Sequence, residues 1–131
     1  MRTSYISREQ MRCVLAALTP ANRLVCRVCL HTGLRVSDAL ALRTADLAGR
    51  MAVREQKTGK NRRISFPMGL LEDLRGQAGS EWVFEGSRDK ARHRTRQAVW
   101  RDVKRAATAF RLPGNVGTHS CRKFYAVELM H

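Results

Sequence analysis

The stretch from Thr19 to Gly33 restricts the fold more than any other part of the chain. Proline is at home in the first turn of a helix, where its missing N–H would have no partner anyway. Thr19 can therefore cap a helix that has Pro20 at its first position. Leu24, Val25, Val28 and Cys29 follow at helical spacing, and Gly33 stands where a left-handed residue ends such a helix. Cys26 and Cys29 have the C-x-x-C spacing of metal and redox sites. No second pair follows at zinc-ribbon distance, and both lie within the apolar run from Leu24 to Leu30. A free cysteine in such a run behaves as a small hydrophobe, so core packing in a reducing compartment is expected.

The rest of the chain divides by the same punctuation. Ser7 and Gln10 read as a capping box, and Met11, Val14, Leu15 and Leu18 give a first helix that stops near Thr19-Pro20. Val36 to Leu42 reads as a short third helix, and Asp46 to Met51 holds a turn. Residues 51–56 and 62–66 are predicted to pair as a hairpin around Lys57-Thr58-Gly59-Lys60-Asn61, with Pro67 ending the second strand. Leu70, Leu71 and Leu74 predict a short helix, and Trp82-Val83-Phe84 a further short strand. A basic connection from Gly86 to Arg96 leads into a helix over 98–110, with Val99, Val103, Ala106, Ala107 and Phe110 on one face. Leu112-Pro113-Gly114-Asn115 breaks it, and a last helix begins near Thr118. The predicted fold class is α+β, mainly helical, a single domain over 1–131 with a small antiparallel sheet.

Charge points to the partner. The chain has 25 Lys and Arg against 11 Asp and Glu, a formal net charge of +14, yet 44% of its residues are hydrophobic. That apolar content is enough for a packed core and excludes a disordered basic tail. A folded domain with this excess repels itself unless a polyanion is near, so nucleic acid is the leading partner. No apolar run approaches the ~18–20 residues of a membrane-spanning helix, and residues 1–19 do not read as a secretory signal. A soluble cytoplasmic protein without a membrane partner is expected.

Four separated segments stand out for their chemistry. They are Thr32-Gly33-Leu34-Arg35-Val36-Ser37-Asp38, Lys57-Thr58-Gly59-Lys60 in the hairpin, the basic stretch before the long helix, and Thr118-His119-Ser120-Cys121-Arg122. Each has an ordinary reading when taken alone. Arg35 could complement a helix C-terminus, Lys57 and Lys60 could be solubilising charges, and His119 could cap its helix. A P-loop reading of Gly59-Lys60 fails, because Asn61 replaces Ser/Thr and Arg54 occupies the place of the first glycine. Taken together and in this order, the segments resemble the catalytic domain of tyrosine recombinases, the phage-integrase family. The entry Tyr5-Ile6-Ser7-Arg8-Glu9-Gln10 is similar to the start of that domain, so the resemblance covers nearly the whole chain.

The resemblance implies a division of labour. Arg35 and Arg122 would clamp the scissile phosphate, and His119 would assist by proton transfer and hydrogen bonding. Lys57 would protonate the departing 5′ oxygen, with Lys60 the alternative lysine, and Asp38 would support the arrangement. Lys60, Arg62, Arg92, Arg94 and Arg96 are the candidates for DNA contacts. The physics agrees with such a set: phosphodiester cleavage builds negative charge on non-bridging oxygens, and guanidinium forks match phosphate geometry. A covalent phosphotyrosyl bond would store the energy for rejoining, so no metal and no other cofactor is implied. The implied partners are double-stranded DNA and other recombinase protomers.

The resemblance also implies missing parts. The family's nucleophile is a tyrosine some tens of residues beyond the H-x-x-R arginine, and this chain offers only Tyr5 and Tyr125. Tyr125 stands one helical turn beyond Arg122, where it is expected to pack, so no nucleophile is expected in this chain. The expectation is a catalytic domain incomplete at its C-terminus and lacking the N-terminal core-binding domain. Two functions are consistent with the residues: the catalytic portion of a site-specific recombinase, or a non-catalytic DNA-binding module that interferes with a complete one. With 6% aromatic residues and no RNA-module signature, a ribosome-type RNA binder is disfavoured.

Overall fold

The computed structural model describes residues 7–110. The break at Leu112–Asn115, the last helix, Tyr5, His119, Arg122 and Tyr125 lie outside the described residues. Ser7 caps α1 (Arg8–Ala17): its Oγ accepts the Gln10 N–H at 3.0 Å, and Gln10 Oε1 accepts the Ser7 N–H at 2.8 Å. The capping box is therefore as expected. The carbonyls that α1 leaves open at its C-terminus are met by arginines. Arg23 donates to Leu15, Ala16 and Leu18, and Arg105 to Ala17.

Helix α2 (Pro20–Thr32) is the centre of the molecule and packs against α1 and against three further helices. These are α3 (Val36–Leu40), α4 (Met68–Gln77) and α5 (Arg96–Ala109). Val25, Val28 and Cys29 on α2 have no exposed surface and meet Ala39, Leu40, Leu70, Leu74, Val83, Phe84 and Val99 in one core. Cys26 and Cys29 are buried in that core, as their apolar neighbours predict.

The N-terminus of α2 is closed from outside. Asp102 of α5, only 8% exposed, accepts five hydrogen bonds: Thr19 N–H, Thr19 Oγ1 and Asn22 Nδ2 on Oδ2, and Arg105 Nε and Nη2 on Oδ1. A carboxylate at a helix N-terminus complements the helix dipole, and here it also ties α5 to the start of α2. Burial pushes the Asp102 carboxyl up, but the hydrogen bonds from Asn22, Thr19 and Arg105 outweigh it and hold it at about 2.

Strands β1 (Arg50–Arg54) and β2 (Asn61–Ser65) pair antiparallel, in register from Arg50 opposite Ser65 to Arg54 opposite Asn61. The loop spans 55–60 and closes through Glu55 N–H to Lys60 O and Gly59 N–H to Glu55 O, both 2.8 Å, with Gly59 at φ 70°. The sequence pattern carries the first strand to Gln56. The strand stops earlier because the Gln56 N–H leaves the ladder for the carboxylate of Asp38.

Other expectations need correction. Trp82-Val83-Phe84 forms no strand, only single bridges from Arg43 to Trp82 and from Glu85 to His93. The segment it meets turns into a 3-10 turn at Thr44–Asp46 after two hydrogen bonds, too short for a ladder. Helix α5 starts at Arg96 because Thr95 caps it, its Oγ1 accepting the Ala98 N–H at 3.1 Å. Phe110, expected on the buried face, is 45% exposed at the C-cap of that helix.

The Asp102 network gives a direct expectation. A carboxyl held at about 2 instead of the usual 3.8 stabilises the fold above pH ~4, and that stability drains away as pH falls from about 4 to about 2. The contribution is about 2 kcal/mol. Urea unfolding of the parent and of Asp102→Asn across that range should show the acid-labile component in the parent only. The variant should also be less stable at neutral pH.

Candidate phosphate-binding site

The site is built where α2 ends. Gly33 adopts the left-handed conformation at φ 73°, its N–H bonded to Cys29 O at 2.9 Å. Thr32 Oγ1 donates to Val28 O at 2.6 Å and accepts the Leu34 N–H at 3.2 Å, which fixes the reversal. Leu34 is buried at 1% exposure as the anchor of this turn. Arg35 then stands in extended conformation at the N-cap of α3. The turn at Gly33 therefore sets where Arg35 stands.

The hairpin loop is fastened to the same place. Asp38, 2% exposed, accepts the Gln56 N–H on Oδ1 at 3.0 Å, and Gln56 Nε2 approaches Ser37 O at 3.5 Å. The neighbouring residue, Lys57, thereby faces Arg35 across a cleft. That cleft, of about 460 Å³, is lined by Arg35, Val36, Ser37, Asp38, Gln56, Lys57 and Arg96. Three cations surround it, and its one carboxylate is buried. Two buried polar atoms there have no partner among the described residues: Arg35 Nε and Asp38 Oδ2. An unpaired buried guanidinium donor costs free energy that an anion in the cleft would recover.

The remaining candidates are placed differently. Lys60 is exposed on the hairpin loop and does not line the cleft, whereas Lys57 does. Arg62 donates from Nη2 to Thr32 O at 3.0 Å, capping the C-terminal carbonyls of α2, and also lies outside the cleft lining. Arg92 is largely exposed, with Asp89 3.8 Å away. Arg94 is half-buried, its Nε enclosed with no partner among the described residues and its backbone N–H bonded to Phe84 O at 2.7 Å. Arg96 belongs with Arg35 and Lys57 rather than with the other arginines of the connection.

Sequence reasoning missed two supports of this site. Gln56 reads as the end of a strand, and no periodicity distinguishes a ladder N–H from one diverted to a carboxylate. Trp82 reads as a strand residue but serves as a platform for the connection. Its Nε1 donates to Ala91 O at 3.0 Å, the Arg43 guanidinium lies 4.4 Å over its ring, and the His93 ring meets it edge-on at 5.1 Å. Arg43 is held in turn by Glu81 at 3.0 Å. The connection before Arg96 is therefore strapped to the core, and an aromatic in a short apolar run before a basic segment is the only hint the sequence offers.

The described residues form a mainly helical domain with a two-stranded antiparallel sheet, an architecture shared with integrase catalytic cores. The sequence pattern of the Phage integrase family matches residues 4–131, and the chain belongs to that family. Its sequence is 39% identical over 110 residues to that of a protein named for an integrase/recombinase, y4qK of Sinorhizobium fredii (strain NBRC 101917 / NGR234), covering 78% of this chain and 35% of that protein. Its fold is similar to XerA recombinase, with a TM-score of 0.79 at 16% identity over 99% of this chain and 52% of the other. It is also similar to the lambda integrase catalytic core, with a TM-score of 0.78 at 21% identity over 95% of this chain and 81% of that one. A lambda integrase tetramer bound to a Holliday junction gives 0.78 at 22% identity, over 97% and 42%. The chain thus spans about a third of y4qK and about half of XerA.

The anchoring of the loop can be tested on the isolated chain. Asp38→Ala should raise the hydrogen-exchange rate of the Gln56 amide at least about tenfold, the loss of one charge-assisted bond. Amides of α2 should keep their protection. Equal loss of protection in both places would mean that Asp38 supports the core and not the loop.

Proposed function

We propose that this chain is the phosphate-activating portion of a site-specific DNA recombinase, holding duplex DNA and promoting strand cleavage and rejoining through a 3′-phosphotyrosyl bond. The observation that supports this reading most is the single cleft that gathers Arg35, Lys57 and Arg96 around a loop fastened by Asp38. Solved structures of similar fold include a lambda integrase dimer bound to a COC' core site and a lambda integrase tetramer bound to a Holliday junction. The partner proposed here is likewise double-stranded DNA, together with further recombinase protomers.

In the cleavage step a tyrosine oxygen attacks the scissile phosphorus and the bond from phosphorus to the 5′ oxygen breaks. Arg35 and Arg122 donate to the non-bridging oxygens as charge builds there, and His119 adds a further hydrogen bond and proton relay. Lys57 gives its proton to the departing 5′ oxygen. Lys57 suits this role because it lines the cleft with Arg35 and its backbone is held there through the adjacent Gln56. Asp38 is a positioning residue that acts through Gln56. Rejoining is the reverse attack, and the phosphotyrosyl bond conserves the energy, so the step balances without an external donor.

The reading makes two measurable statements. The 131-residue chain should bind a random duplex with an affinity that falls steeply between 50 and 200 mM salt, through counterion release. Joined to a C-terminal segment that supplies the family's tyrosine, the chain should give a covalent protein–DNA band with a nicked suicide duplex on a denaturing gel, and Arg35→Ala or Lys57→Ala should slow its formation by about 10²–10³-fold. Tight, salt-sensitive binding with no covalent band from that extended chain would restrict the function to DNA holding. No salt-sensitive binding at all would overturn the reading.

A further inference from the structure

The outer face of the hairpin carries a pattern that the cleft does not use. Side chains alternate along paired strands, so Arg50, Ala52 and Arg54 share one face with Asn61, Arg63 and Ser65 opposite them. All six are exposed, whereas Ile64 on the other face is buried and Met51, Val53 and Arg62 are half-buried. Ala52 lies opposite Arg63, with Arg50 and Arg54 two residues to either side of Ala52. The arginines therefore stand in a staggered row about 13 Å long, given about 3.3 Å per strand residue. The small side chains of Ala52 and Ser65 leave a shallow groove of about 590 Å³ between Arg50 and Arg63.

This row is not part of an internal ion-pair network. None of the three guanidinium groups has an ion-pair or hydrogen-bond partner among the described residues. Asp46 lines a small cleft with Arg54 but does not pair with it. Like charges placed diagonally across a strand pair repel, so this face costs stability unless an anion bridges it. A second copy of the chain is a poor occupant, since it brings a net charge of +14. A row of guanidinium forks at this spacing fits a phosphate backbone: 13 Å is the axial rise of about four nucleotides of one strand.

We infer that the outer face of the hairpin is a second phosphate-contacting surface for double-stranded DNA, apart from the cleft that holds the scissile phosphate. This rests on duplex DNA being the partner, and adds a contact that needs neither Arg35 nor Lys57.

The test is a fluorescence-anisotropy titration of a random duplex with the 131-residue chain at several salt concentrations. Three further variants are compared: R50T/R54T/R63T, R50K/R54K/R63K and R35A/K57A. Threonine is a good strand residue, so the hairpin should persist, and circular dichroism checks that it does. The threonine variant should flatten the salt slope by about 2 to 3 and weaken binding at least tenfold, as expected for three lost phosphate contacts. The lysine variant should keep most of the slope, because it keeps the charge. R35A/K57A should leave the arginine row still contributing, so adding the threonine changes to it should weaken binding further. A parental slope in the threonine variant would overturn the inference while leaving the proposed function standing. So would equal losses in the threonine and lysine variants, or loss of binding to phosphatidylserine vesicles with duplex binding intact. Absence of duplex binding by the parent would overturn both.

Discussion

One hydrogen bond, from the Gln56 N–H to Asp38 Oδ1, governs how the rest of the site is arranged. Without it the hairpin loop, exposed at five of its six residues, would be joined to the domain through its strands and the long contact from Gln56 Nε2 to Ser37 O alone. With it, the ladder ends at Arg54, the loop turns toward α3, and Lys57 enters the cleft beside Arg35. The acceptor is itself buried on a helix that follows Gly33 by only a few residues, so one turn places both the guanidinium and the carboxylate that aligns its partner. A buried carboxylate is expensive unless bonded, which makes the arrangement specific: the loop either docks on Asp38 or leaves that charge unsatisfied.

The two buried acids of the described domain do comparable work at different scales. Asp102 gathers the start of α2, Asn22 and Arg105 into one network and fixes the helical frame. Asp38 fixes the hairpin loop against that frame. In a chain with 25 basic and 11 acidic residues, the acids are too few to pair every cation. Among the described residues, Arg23, Arg62 and Arg105 close helix ends, Arg27 and Arg43 pair with Asp73 and Glu81, and Arg50, Arg54 and Arg63 are left for anions outside the protein. The self-repulsion of this surface is a cost of folding that a polyanionic partner relieves.

Much of the helical frame is legible in the order of residues alone. The capping box at Ser7, Pro20 at the head of α2 and Gly33 at its foot are local devices, each set by one or two residues. The position of Arg35 after Gly33 is legible for the same reason. What escapes a reading of the sequence depends on contacts distant along the chain. The diversion of the Gln56 N–H needs Asp38, 18 residues earlier. The failure of Trp82–Phe84 to form a strand depends on the early 3-10 turn at Thr44. Arg96 reads as one more member of a basic run, yet the Thr95 cap and the Trp82 platform bring it to the cleft. The motif carries the chemistry, and tertiary contacts decide which cations share in it.

The central claim is that Arg35 and Lys57 act on one and the same phosphate. A methylphosphonate scan tests it most directly: each phosphate of a duplex substrate is replaced in turn by its neutral analogue, and binding is measured for the parent, Arg35→Ala and Lys57→Ala. At one position the neutral linkage should abolish the difference between the parent and both variants, because the charge they grip has gone. If the two variants lose their effects at phosphates far apart, or at none, the cleft does not hold a single phosphate and the account is wrong.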